Sequence, residues 1–76
     1  MRNSIKQYII KTKEAYKIGN IREAVKYWNS IYDELGDINS DNFSEWRESM
    51  SLFTDDEVFK ITDYYKSSVG YNSVSL

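Results

Sequence analysis

The stretch from Ala15 to Leu35, AYKIGNIREAVKYWNSIYDEL, leaves this chain little freedom, because it holds a helix end, a tight turn and a complete amphipathic helix. Gly19 adopts at little cost the left-handed backbone that stops a helix, and Asn20 caps the next helix with Glu23 supporting it three positions on. From that start Ile21, Ala24, Val25, Trp28, Ile31, Tyr32 and Leu35 share one arc, while Arg22, Lys26, Asn29, Ser30, Asp33 and Glu34 occupy the other. The polar arc mixes both signs of charge, which suits a helix packed on a protein core and not one lying on a membrane. The two helices around Gly19 fold back as an antiparallel hairpin.

Around this hairpin the other elements follow. Ser4, with Gln7 three residues on, reads as a capping box that opens a first helix running to about Lys17. Ile5, Tyr8, Ile9, Thr12, Ala15 and Tyr16 share its buried face, with Lys6, Lys13 and Lys17 in a stripe alongside and Ile10 beyond them. After Gly36 comes the polar loop DINSDN, then a short helix capped by Asn42 with Glu45 as its partner, directing Phe43, Trp46, Met50 and Phe53 inward. Thr54 and Glu57 form a further capping box, and Phe53 before it can staple onto Val58. The last helix places Val58, Ile61, Thr62, Tyr65 and Val69 inside, carries an Asp56–Lys60 pair, and ends at Gly70. The expected fold is all-α, a compact bundle of three to four short helices over residues 1–70. Residues 71–76 form a flexible or docked tail.

The hairpin resembles the middle of a tetratricopeptide repeat. Gly19 stands at the inter-helix turn, Glu23-Ala24-Val25 begins the second helix, and Trp28 follows Ala24 where the family has A-x₃-F. Tyr8 suits the large aromatic position of the first helix, whereas Lys11, Thr12 and Ala15 replace leucine, glycine and tyrosine, and Gly36 replaces the terminal proline. The resemblance implies a helical hairpin with repeat-like packing and, in that family, a peptide-binding groove.

Function is constrained chiefly by what the chain lacks. It has no histidine and no cysteine, so nucleophilic and acid–base work would rest on residues that nothing pairs at a motif spacing. Neither enzymatic activity nor a cofactor is expected. No segment reaches the ~20 apolar residues of a membrane span, and the N-terminus lacks a signal-like apolar run, so a cytoplasmic protein is expected. Abundant Asn, Ile, Lys, Ser and Tyr without proline suggest an A/T-rich coding source such as a phage or low-G+C bacterium.

Charge distribution says more than the net charge of −2. Residues 1–26 contain seven Lys or Arg against two Glu, and residues 27–63 contain two against ten acids. Three consequences are open: helix one lies against the acidic second half, copies associate with one another, or the acidic half binds a basic surface on another protein. The last makes the chain a protein–protein interaction module acting as a small regulator, inhibitor or adaptor. Its candidate partner-binding residues are Lys6, Ile10, Lys13, Lys17, Tyr27 and Tyr64, the two tyrosines because they fall off the apolar arcs.

Two rival chemistries are also written in the sequence. Lys6, Lys11, Lys13, Lys17 and Arg22, with Tyr16 and Tyr27 nearby, offer phosphate contacts and stacking for nucleic acid, against an acidic total. Asp37, Asn39, Asp41, Glu45 and Glu48 match positions 1, 3, 5, 9 and 12 of an EF-hand calcium loop. Asn42 stands there in place of the loop glycine, Ser44 replaces an aliphatic residue, and no second loop exists to pair with it.

Overall fold

The fold, taken from a computed structural model, is described for residues 1–68. It is all-α among those residues, with α1 spanning Asn3–Lys17, α2 Ile21–Leu35, α3 Phe43–Ser51 and α4 Asp55–Ser68. Val69, Gly70 and the tail at 71–76 lie outside the described residues. No described helix is long and apolar enough to cross a membrane.

The α1–α2 hairpin forms as its sequence specifies. Gly19 has φ +82°, its N–H donates to the Tyr16 carbonyl at 3.0 Å, and the Asn20 N–H donates back to Ala15 at 2.9 Å. These two bonds satisfy carbonyls that a helix end otherwise leaves orphaned. The Asn20 side chain then accepts from the Glu23 N–H at 3.2 Å and starts α2. Because the Asn20 N–H is spent on Ala15, it needs nothing from the Glu23 carboxylate.

Ile5, Ile9 and Ala15 of α1 meet Ala24, Val25, Trp28, Ile31 and Leu35 of α2, and Phe53 and Ile61 close the core from the other side. Trp28 lies edge-on to Phe53 with ring centroids 5.1 Å apart. Tyr32 links α2 to α3, its hydroxyl accepting from Trp46 Nε1 at 3.2 Å and donating to Met50 Sδ at 3.7 Å. Among the described residues two polar ones are fully buried, Thr12 and Ser49. Each hydroxyl donates to a carbonyl one turn back, Thr12 to Tyr8 at 2.7 Å and Ser49 to Glu45 at 2.8 Å, so neither is left unsatisfied.

Several expected details are corrected. Ser4 does not cap α1: the helix begins at Asn3 with Arg2 at the cap and no side-chain bond there. Arg2 is held from outside, its N–H donating to Glu45 at 3.0 Å and its guanidinium to the Glu34 carbonyl at 2.8 Å, and this fixes where the helix starts. In α3 Phe43 is not inward but half-exposed, stacked beside Trp46 at 5.6 Å, and Ser49 takes the buried position.

The last helix is rotated relative to expectation. Its capping box forms fully, Thr54 N–H donating to Glu57 Oε1 at 2.8 Å and Glu57 N–H to Thr54 Oγ1 at 3.1 Å. Lys13 Nζ reaches the same Glu57 oxygen at 2.8 Å and draws that side of α4 toward α1. Ile61 and Tyr64, one and two turns further along the same side, turn inward with it, and Tyr64 packs against the core. Tyr65 is exposed in consequence, contrary to the sequence expectation for both tyrosines.

Candidate interaction surfaces

Part of the basic first half is used within the molecule. Arg2 pairs with Glu34 and Glu45 at 3.4 Å, Lys13 with Glu57, and the amine of Met1 with Glu48 at 3.8 Å. Each of these joins the N-terminal cations to the C-terminal acids, so the first of the three charge consequences is realised. Lys13 is therefore not a ready partner contact, since it also lies over the Phe53 ring at 5.2 Å from the centroid.

Next to it, the Tyr16 hydroxyl donates to Asp56. That bond, some desolvation and the neighbouring charges of Asp56 and Glu57 push the Tyr16 hydroxyl up from 10.0 to about 12. For Glu57, partial burial works against ionisation, but the hydrogen bonds from Lys13 and Thr54 outweigh it and hold the carboxyl below its ordinary value.

The far end of the hairpin carries a rigid acidic loop. Asn42 stands at the cap of α3 but makes no capping bond. Its amide nitrogen donates instead to the Leu35 carbonyl at 3.0 Å and the Asp37 carbonyl at 2.9 Å, and its oxygen accepts from Asn39 N–H at 2.8 Å. Asn39 Oδ1 in turn accepts from the N–H groups of Asp41 and Asn42. So braced, the loop and the start of α3 present Ile38 and Phe43, 39% and 49% exposed, close in the chain to Asp37 and Asp41, which are exposed as well.

The EF-hand spacing does not become a cation cage. Asn39 is committed to loop N–H groups and Glu45 to Arg2. Among the described residues no three or more His, Cys, Asp or Glu side chains stand together as a metal site.

The other sequence candidates separate into two places. Tyr27, half-buried, lies under two lysines, with Lys11 Nζ at 5.4 Å and Lys26 Nζ at 5.9 Å from its ring centroid. Lys17 is exposed near the turn, beside Ile18, which is 79% exposed. Lys6 and Ile10 come together with Met1, Ile9 and Leu52 around a shallow groove of about 270 Å³. Leu52, Ile38 and Phe43 were missed as surface residues; the first two sit in linkers, where periodicity assigns no face. A larger groove of about 650 Å³ runs between α2 and α4, floored by Trp28 and Tyr32.

Ala24 and Trp28, which carry the resemblance to the tetratricopeptide hairpin, are both buried. No protein family, curated protein or solved structure matches the chain.

Proposed function

We propose that this chain is a non-enzymatic protein–protein interaction module, a small cytoplasmic regulator, inhibitor or adaptor that engages a basic surface on its partner. The observation that supports this most directly is the α2–α3 loop and the start of α3, where Ile38 and Phe43 stand exposed next in the chain to the exposed Asp37 and close to Asp41. Exposed apolar side chains with carboxylates close by in the chain fit a partner patch that is apolar at its centre and carries cations at its edge. Bracing by Asn42 lowers the ordering cost of binding, because the loop is already in one conformation.

The test is capture from the source cell and its phage-infected counterpart with three baits: the chain, Phe43→Ser, and the double variant Asp37→Asn with Asp41→Asn. A protein retained by the first bait, lost from the other two and released by salt supports the reading. Equal retention by all three baits, or none, overturns it.

Nucleic-acid binding is a second reading, favoured by Lys11 and Lys26 over the Tyr27 ring. Labelled single-stranded DNA and RNA at low salt decide it: binding that weakens steeply with salt and falls in Tyr27→Ala supports it, and no binding removes it.

A further inference from the structure

We infer that the face formed by α1 and α3 is a two-fold interface with a second copy of this chain. Two rows of side chains make this face. On α1, Lys6 and Ile10 stand four residues apart, and along α3 into its C-cap, Glu48 and Leu52 stand four apart in the same way. Ile10 is 48% exposed and Leu52 50%, and the two line one groove with Lys6, with Ile9 and the largely covered Met1 side chain as its floor.

The two helices run in the same direction along this face. Arg2 pairs with Glu45 and the amine of Met1 with Glu48 at one end, while Ile10 and Leu52 share the groove at the other. Each row therefore has its charge at the same end and its aliphatic residue at the same end.

That arrangement is self-complementary. A two-fold axis lying in the face and parallel to the helices sets α1 of each copy on α3 of the other. It brings Ile10 onto Leu52 of the second copy and Lys6 onto its Glu48, twice over. The charges needed are available: Lys6 makes no ion pair among the described residues, and Glu48 keeps a 61% exposed side chain beyond its long contact to the Met1 amine. A face carrying one sign of charge would repel its own copy, whereas this one offers both signs at mated positions.

Sedimentation velocity from 10 µM to 1 mM, at low and high salt, tests the inference. The expected species is twice the 9.0 kDa chain, with association weakened by salt. Ile10→Glu and Leu52→Glu each remove the dimer; both positions are half-exposed, so the helical circular dichroism of the monomer is unchanged. Lys6→Glu weakens association by about tenfold or more, and Glu48→Lys added to it restores the dimer, because the ion pair is rebuilt with its signs exchanged. A wild-type chain that stays monomeric at 1 mM overturns the inference. So does a dimer that Ile10→Glu leaves intact, or a double variant no tighter than Lys6→Glu alone.

Discussion

Asn42 makes the most discriminating test of how the loop is built. At the cap of a helix Asn and Asp are nearly interchangeable, because what a cap needs is a side-chain oxygen to accept a backbone N–H. Here the amide nitrogen matters instead, donating to Leu35 and Asp37 while the oxygen accepts from Asn39. Asn42→Ala removes all three bonds. At about 0.5–1.5 kcal/mol net for each, and with the groups at Asp37 and Asn39 able to turn to water, the expected loss is about 2 kcal/mol. For a domain of this size that lowers Tm by about 8–16 °C. Asn42→Asp is the decisive variant. It keeps the acceptor but loses both donors, and it adds a third carboxylate beside Asp37 and Asp41, so it should be at least as destabilised as the alanine variant. Thermal unfolding followed by circular dichroism at 222 nm, with urea titration to confirm an unchanged slope, gives both numbers. An Asn42→Asp protein as stable as wild type would refute the clamp and restore Asn42 to an ordinary cap.

Four further outcomes can be measured on the same protein. The lowered pKa of Glu57 gives stability that is present above the ordinary carboxylate range and lost as pH falls through the folded value, so Glu57→Gln should flatten the acid limb of a Tm–pH profile. The raised pKa of Tyr16 has the opposite sign: its contribution is full below pH 10 and lost toward pH 12, and Tyr16→Phe should lose that alkaline limb. Gly19→Ala meets nothing within 4 Å of the added Cβ, yet φ +82° alone should cost about 1–2 kcal/mol in urea unfolding. Calcium to millimolar levels should leave Trp46 fluorescence unchanged, in wild type and Asp37→Ala alike, since Asn39 and Glu45 are already engaged.

What the sequence made legible was local. The Gly19–Asn20 turn and the Thr54–Glu57 box depend on residues within a few positions of one another; the box formed in both directions, and the turn formed with Asn20 as cap but without the expected return bond from the Glu23 carboxylate. The α2 arc was readable because a strong 3.6-residue period fixes a helix face whatever it packs against. Legibility failed where a distant residue decided the outcome. Ser4 lost its role because Arg2 is anchored by Glu34 and Glu45, more than thirty positions away in the chain. Tyr64 and Tyr65 exchanged places because Lys13 pulls Glu57 inward. Neither partner could be inferred from its own neighbourhood, since a short helix with apolar residues scattered over more than half its circumference packs nearly as well after a small rotation. Among the candidate surface residues, Lys6 and Ile10 were placed together, while Lys13 and Tyr64 were drawn into the fold.

Those same distant pairs clarify what the charge segregation does. Exposed ion pairs contribute only about 0–1 kcal/mol each, so the pairs from Met1, Arg2 and Lys13 do not explain why the chain folds. The buried aliphatic and aromatic side chains around Trp28 do that. An apolar core, however, chooses poorly between neighbouring rotations of α3 and α4, because their inward faces are broad and each offers more than one aromatic residue. The charges choose. Placing Arg2 on Glu34 and Glu45, and Lys13 on Glu57, fixes α1 against the far end of α2, the side of α3 and the start of α4 at once. Each cation so used has its charge partly answered within the molecule. The carboxylates of Asp37 and Asp41 have no such counterpart among the described residues and remain exposed, close in the chain to Ile38 and Phe43. The segregation that orients the helices therefore also leaves the α2–α3 loop with unanswered carboxylates, and that is why the proposed partner must bring the positive charge.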